Sequence, residues 1–138
     1  MLSHHAGLIY VMVLVSAADG DMTDAELKTI GEIVGFLPVF SDYDSGLLLS
    51  TTAACAELLD ADDGMERALD FIRASVPVSL RETAYALACD VAASDGEGHA
   101  ETRRLMAMLR HRLEIDRLVA AAIERGAKAR FVRFSAKS

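Results

Sequence analysis

The 138-residue chain is poor in several residue types, and each shortage narrows the possible folds. It has no tryptophan, 6% aromatic residues, two prolines and two cysteines. Scarce aromatics beside plentiful alanine and leucine favour helices over sheets. Two prolines and nine glycines exclude a collagen-like or linker-rich chain. Because 52% of the residues are hydrophobic, the chain can bury a core, and its length suits a single domain.

Positive charge is nearly absent from the first half of the chain. Residues 1–66 contain one cation, Lys28, and 12 acidic residues, whereas residues 67–138 contain 13 cations and nine acidic residues. An acidic first half repels nucleic acid and attracts cations, so we expect no nucleic-acid partner. The basic residues near the end of the sequence are typical of a solvated tail. We therefore predict a helical domain over residues 1–127 and a flexible tail over residues 128–138. The opposite charges of the two halves favour a protein partner or self-association.

The two cysteines, Cys55 and Cys89, each lie in an apolar helical pattern, and the chain has no C-x-x-C motif. This usage predicts two buried thiols in a reducing compartment and therefore a cytoplasmic protein. A single disulfide between the two cysteines is the alternative. The four histidines lack zinc-site spacing, and we expect the adjacent pair His4 and His5 to face solvent.

One long apolar run, Leu8–Val15, has three interpretations. The small residues after it are similar to a signal-peptide cleavage site. However, no lysine or arginine precedes the run, and the segment VSAADG at 15–20 is echoed by VAASDG at 91–96. A cleaved leader would not share a pattern with an internal segment, and a membrane anchor needs about 20 apolar residues. We therefore predict a core helix rather than a signal peptide or an anchor.

Apolar periodicity predicts an all-α, compact bundle of about seven helices. Their predicted bounds are 3–18, 23–36, 41–59, 63–75, 79–94, 99–112 and 115–127. Capping boxes at Thr23–Glu26 and Ser79–Glu82 mark the starts of the second and fifth helices. Pro38 and Pro77 end the helices before them, and Gly126 is predicted to end the seventh.

A repeated segment carries the strongest functional signal. The sequence AADGDMTDAE at 17–26 is similar to ASDGEGHAET at 93–102, and each copy lies between two predicted helices. The pattern predicts two pseudo-repeated helix–acidic turn–helix units. Turn chemistry explains part of it, because glycine adopts left-handed backbone and acidic residues suit helix N-termini.

The acidic residues of the two turns exceed what turn chemistry requires. They are Asp19, Asp21, Asp24 and Glu26 in the first copy, and Asp95, Glu97 and Glu101 in the second. Crowded carboxylates repel one another, and a divalent metal ion would relieve that repulsion. The spacing is not that of an EF-hand, so a site would need both turns. If the turns meet, Asp19, Glu26, Asp95 and Glu101 can share an ion, and His99 can join it.

At these residues the sequence resembles the TerB-like tellurite-resistance family, which includes the N-terminal region of the DjlA co-chaperones. The resemblance covers roughly residues 8–127 and implies an all-helical, non-enzymatic module of the response to tellurite and other stresses. It also implies metal binding by the family's acidic residues, which fall here on Asp19, Asp21, Glu26, Asp95 and Glu97. The second copy departs from the pattern. Thr102 stands at the position equivalent to Glu26, Glu101 precedes it, and His99 replaces a capping threonine.

Two other functions compete with the metal-binding module. The first is a protein-interaction domain that binds no ion and docks through its charged faces. The second is an enzyme that uses paired carboxylates for acid–base chemistry. The chain has no nucleophile-elbow, phosphate-loop or zinc-protease motif, so we expect no enzymatic activity.

Overall fold

The computed structural model describes residues 3–20, 22–95 and 99–135. Within these ranges the chain forms seven α-helices, three short 3-10 turns and no strand, which confirms the predicted all-α bundle. The helices are α1 (His4–Ser16), α2 (Asp24–Phe36), α3 (Leu48–Leu59), α4 (Gly64–Ser75), α5 (Arg81–Ser94), α6 (Ala100–Arg112) and α7 (Arg117–Arg130). The 3-10 turns are Pro38–Phe40, Ser45–Leu47 and Val78–Leu80.

Helix α1 lies at the centre of the bundle, as the core-helix prediction requires. Its side chains are buried around the whole helix, and Leu8, Met12 and Leu14 are 0% exposed. A helix that is apolar on every side must be enclosed by others. Helices α3, α4 and α5 pack against it and enclose it.

Helix α5 joins this core to a second apolar cluster. On one side it packs along α1, and on the other it packs along α7. The second cluster consists of the buried residues Tyr85, Cys89, Ala120 and Ala127. Helix α6 also packs on α5, so α5 holds both α6 and α7 against the rest of the bundle.

The start of the third helix differs from the prediction. Helix α3 begins at Leu48 rather than near residue 41, and two 3-10 turns, Pro38–Phe40 and Ser45–Leu47, lie between α2 and α3. The first turn buries Phe40 in the core. In the second, the Asp44 carboxylate accepts a hydrogen bond from the Gly46 amide at 2.9 Å. Such local side-chain bonds compete with helix formation.

One predicted capping box forms and the other does not. The Thr23 hydroxyl accepts from the Glu26 amide at 3.1 Å, and the Glu26 carboxylate accepts from the Thr23 amide at 2.8 Å. The box at Ser79–Glu82 was a wrong prediction. Ser79 lies inside the 3-10 turn that follows Pro77, and α5 begins at Arg81 without a side-chain cap.

The end of the seventh helix was also predicted wrongly. Helix α7 continues through Gly126 to Arg130, because Ala127 is buried in the second apolar cluster. The expected exposure of His5 is wrong for a similar reason. His5 is 9% exposed, and its Nε2 atom contacts the Val39 carbonyl at 3.1 Å and the Asp42 carboxylate at 3.0 Å. This contact attaches the start of α1 to the segment after α2.

No helix in the described ranges is long and apolar enough to cross a membrane.

A methyl group added at Gly7 tests the close approach of α1 to the end of α4. It would overlap the Ser75 hydroxyl and lie 2.9 Å from Val76 Cγ2. We expect Gly7→Ala to lower the free energy of unfolding by about 1–3 kcal/mol in urea titrations. The control is Gly31→Ala in α2, where the added methyl group would lie 3.8 Å from Leu48 Cδ2, an ordinary van der Waals contact. This change should raise the free energy of unfolding by about 0.5–1 kcal/mol. Equal effects at the two sites would contradict the packing.

Candidate functional site

The two acidic turns meet at one end of the bundle. Helices α1 and α5 pack side by side, and each is followed at this end by its Asp-Gly turn. Asp19 lies in the turn after α1, and Asp95 is the C-cap residue of α5. Gly20 has a φ of 145°, so the left-handed conformation predicted for this glycine is confirmed. Gly96, its counterpart, lies outside the described residues.

Three metal-ligating side chains converge where the turns meet. Asp19, Asp95 and His99 each place one ligand atom within 4.8 Å of the other two. His99 Nε2 lies 3.2 Å from Asp19 Oδ2. His99 is the N-cap residue of α6, yet its side chain makes no capping hydrogen bond. The imidazole contacts the Asp19 carboxylate instead.

The triad Asp19–Asp95–His99 has the chemistry of a mixed nitrogen and oxygen site. Donor atoms bound to a common ion at about 2.1 Å lie roughly 3–4 Å apart, so a modest contraction would close the triad around a metal. The side chains of Asp19 and His99 are 29% and 49% exposed, which leaves water access to further coordination positions. Two carboxylates beside one imidazole provide the negative charge that attracts a cation.

The structure separates the predicted ligands into three groups. Asp19 and Asp95 come together, as the duplicated turn predicts. Glu26 and Glu101 are not part of the triad, because the Glu26 carboxylate is engaged in the capping box and Glu101 is exposed in the first turn of α6. Asp21 and Glu97 lie outside the described residues.

His99 was only a secondary candidate in the sequence. The sequence feature that pointed to His99 was a departure from the repeat. His99 stands at the position equivalent to the capping Thr23 of the first copy. A threonine hydroxyl at an N-cap accepts a hydrogen bond from the helix amides, whereas the His99 imidazole makes no such bond and contacts Asp19. The contact with Asp19 depends on how α6 leaves α5, which a local pattern does not determine.

The cysteines belong to the core and not to a catalytic site. Both Cys55 and Cys89 are buried and free, which confirms the predicted thiols and excludes the alternative disulfide in this structure. Burial raises the pKa of each thiol to about 12. Since the thiolate is the reactive form, both side chains are poor nucleophiles near neutral pH.

Comparisons with known proteins identify no relative: no family model, no curated protein and no solved structure matches the chain. The TerB-like family remains a prediction that depends on the motifs of the two turns. The candidate metal site depends on the geometry of Asp19, Asp95 and His99.

The raised thiol pKa values predict slow labelling by dithionitrobenzoate. At pH 8 each buried thiol holds about a thousandfold less thiolate than an exposed cysteine. We therefore expect native protein to react only as fast as it unfolds, and protein in concentrated urea to release two equivalents of thionitrobenzoate at once. Rapid labelling of the native chain would show that the thiols are accessible and would contradict the packing of α3 and α5.

Proposed function

We propose that this chain is a non-enzymatic, TerB-like module that binds a divalent metal ion through Asp19, Asp95 and His99. The convergence of these side chains supports the proposal, because Asp19 and Asp95 lie 76 residues apart in the sequence. Their meeting follows from the packing of α1 along α5. The resemblance of the two turns to the TerB-like family supports a role in the response to tellurite and related stresses, in the cytoplasm.

The donor set favours some metals over others. Calcium and magnesium prefer oxygen ligands alone, whereas imidazole nitrogen suits zinc, nickel, copper and iron. A site of two carboxylates and one histidine therefore favours a first-row transition ion. Three protein ligands leave at least one further coordination position for water or a partner's side chain.

A bound ion would connect three elements of the fold. Asp19 follows α1, Asp95 ends α5 and His99 precedes α6. An ion that binds only the folded arrangement stabilises it by mass action. The module would thus become more rigid at this end as the metal concentration rises, which is the behaviour of a sensor. The side chains of the triad are exposed to solvent, which favours sensing over catalysis.

A second candidate function is protein interaction that needs no metal. It is favoured by the separation of charge along the chain and by apolar side chains exposed on the acidic half, where Phe36 is 82% and Leu49 is 67% exposed. A protein partner, or a second copy of this chain, would dock on the acidic or the basic surface that this separation of charge produces. A partner that co-purifies equally with and without a chelator supports this function over the first.

Calorimetric titration of the metal-free chain tests the metal-binding proposal. We expect zinc to bind with one-to-one stoichiometry, manganese to bind more weakly, and calcium or magnesium to bind far more weakly. Removing one of three ligands should weaken binding by about tenfold or more, so Asp19→Asn and His99→Gln are the informative variants.

The matched control is Asp62→Asn, which removes an exposed acidic residue from a different turn. This variant should bind the metal like the parent chain. Absence of heat with all four metals would reject the proposal. Equal affinity in Asp62→Asn and Asp19→Asn would also reject it, because general charge attraction would then explain the binding.

A further inference from the structure

A groove opens between α6 and α7, on the side of α5 that faces away from α1. Both helices pack on α5 but have few direct contacts with each other. The groove has a volume of about 720 Å³. Its floor is the face of α5 that carries Tyr85, Cys89, Ala92 and Ala93. Sites for small ligands typically measure about 300–1,000 Å³ and occur between the helices of bundles.

Nine of the 14 described side chains that line the groove are apolar; four of these are alanines and one is Phe131. Alanines contribute to the floor and to both walls, including Ala107 on α6 and Ala127 on α7. Met106 and Val132 add longer apolar side chains to opposite walls. Small side chains on three sides produce a trough that suits a slender apolar chain.

One polar group inside the groove is already satisfied. The Tyr85 hydroxyl donates a hydrogen bond to the Glu124 carboxylate, which also lies 3.9 Å from Arg110. Among the described residues, Glu124 is the only acidic one that lines the groove. Arg110 offsets part of its charge, so Arg110 contributes less than a full charge toward an incoming anion.

The rim of the groove is basic. Arg103 and Arg110 lie on the α6 wall, and Lys128 lies on the α7 wall. Against the one acidic side chain of the described lining, Glu124, these three cations leave a net positive charge around the trough. Their positions match a ligand with an apolar tail and an anionic head.

We propose that this groove binds an anionic amphiphile with a single alkyl chain, such as a fatty acid or a lysophospholipid. The alkyl chain lies along the alanines of the trough, and the carboxylate or phosphate contacts the basic rim. This site is independent of the proposed metal site, because none of Asp19, Asp95 and His99 lines the groove. The two proposals can therefore fail separately.

Fluorescence titration with dansylaminoundecanoic acid, in the presence of a chelator, tests the proposal on the full chain. We expect saturable binding of one probe. Dodecanoate and monomeric lysophosphatidylglycerol should displace it, and dodecanol should displace it about tenfold less well. The stronger of the two anionic competitors identifies the preferred head group.

Two variants test whether the probe binds in the groove. Ala107→Trp fills the trough from an exposed position on its wall and should weaken binding about tenfold or more. Lys128→Gln should weaken binding of the anionic probe about threefold to tenfold and leave the affinity for dodecanol unchanged. The matched controls, Ala129→Trp and Arg117→Gln, alter exposed residues of α7 outside the groove lining and should bind like the parent chain.

Three results would overturn the proposal. They are the absence of saturable binding, the same affinity in Ala107→Trp and Ala129→Trp, and displacement by dodecanol as strong as displacement by dodecanoate. Thermal unfolding followed by circular dichroism establishes that each variant is folded. If Ala107→Trp does not fold, the comparison of Lys128→Gln with Arg117→Gln still decides the question.

Discussion

The enclosure of α1 is the constraint on which the rest of the structure depends. Its run from Leu8 to Val15 is apolar on every side, so the free energy of burial favours an arrangement in which other helices surround it. Helix α5 provides much of that cover, and its buried alanines Ala84 and Ala88 let the two helices approach closely. The same contact brings the C-terminal ends of the two helices to one end of the bundle. The apolar core therefore places Asp19 beside Asp95.

The placement of Asp19 beside Asp95 has an electrostatic cost. The packing of the apolar core does not require that these two side chains be acidic. Two carboxylates held within a few ångströms repel each other, and surface exposure reduces that repulsion without removing it. The imidazole of His99 lies 3.2 Å from Asp19 and offsets part of the cost when it is protonated. A divalent cation would offset more.

Sequence patterns predicted the features that depend on local or repeated information. The apolar run identified α1, the Thr23–Glu26 box marked the start of α2, and the duplicated turn brought Asp19 and Asp95 together. Predictions failed where tertiary packing outweighed local signals, as at Gly126, where the burial of Ala127 extends α7. The role of His99 depends on the path between α5 and α6. The groove beside the basic residues of α6 forms only where α6 diverges from α7, which a local sequence pattern does not determine.

The most direct test of the central claim is anomalous diffraction from crystals of the chain soaked in zinc or manganese. The account predicts one strong anomalous peak bonded to Asp19, Asp95 and His99, with α1 and α5 ending side by side. That single map reports both the packing of the two helices and the chemistry of the turns. A map without a peak at this position, with the two aspartates directed apart into solvent, would contradict the account.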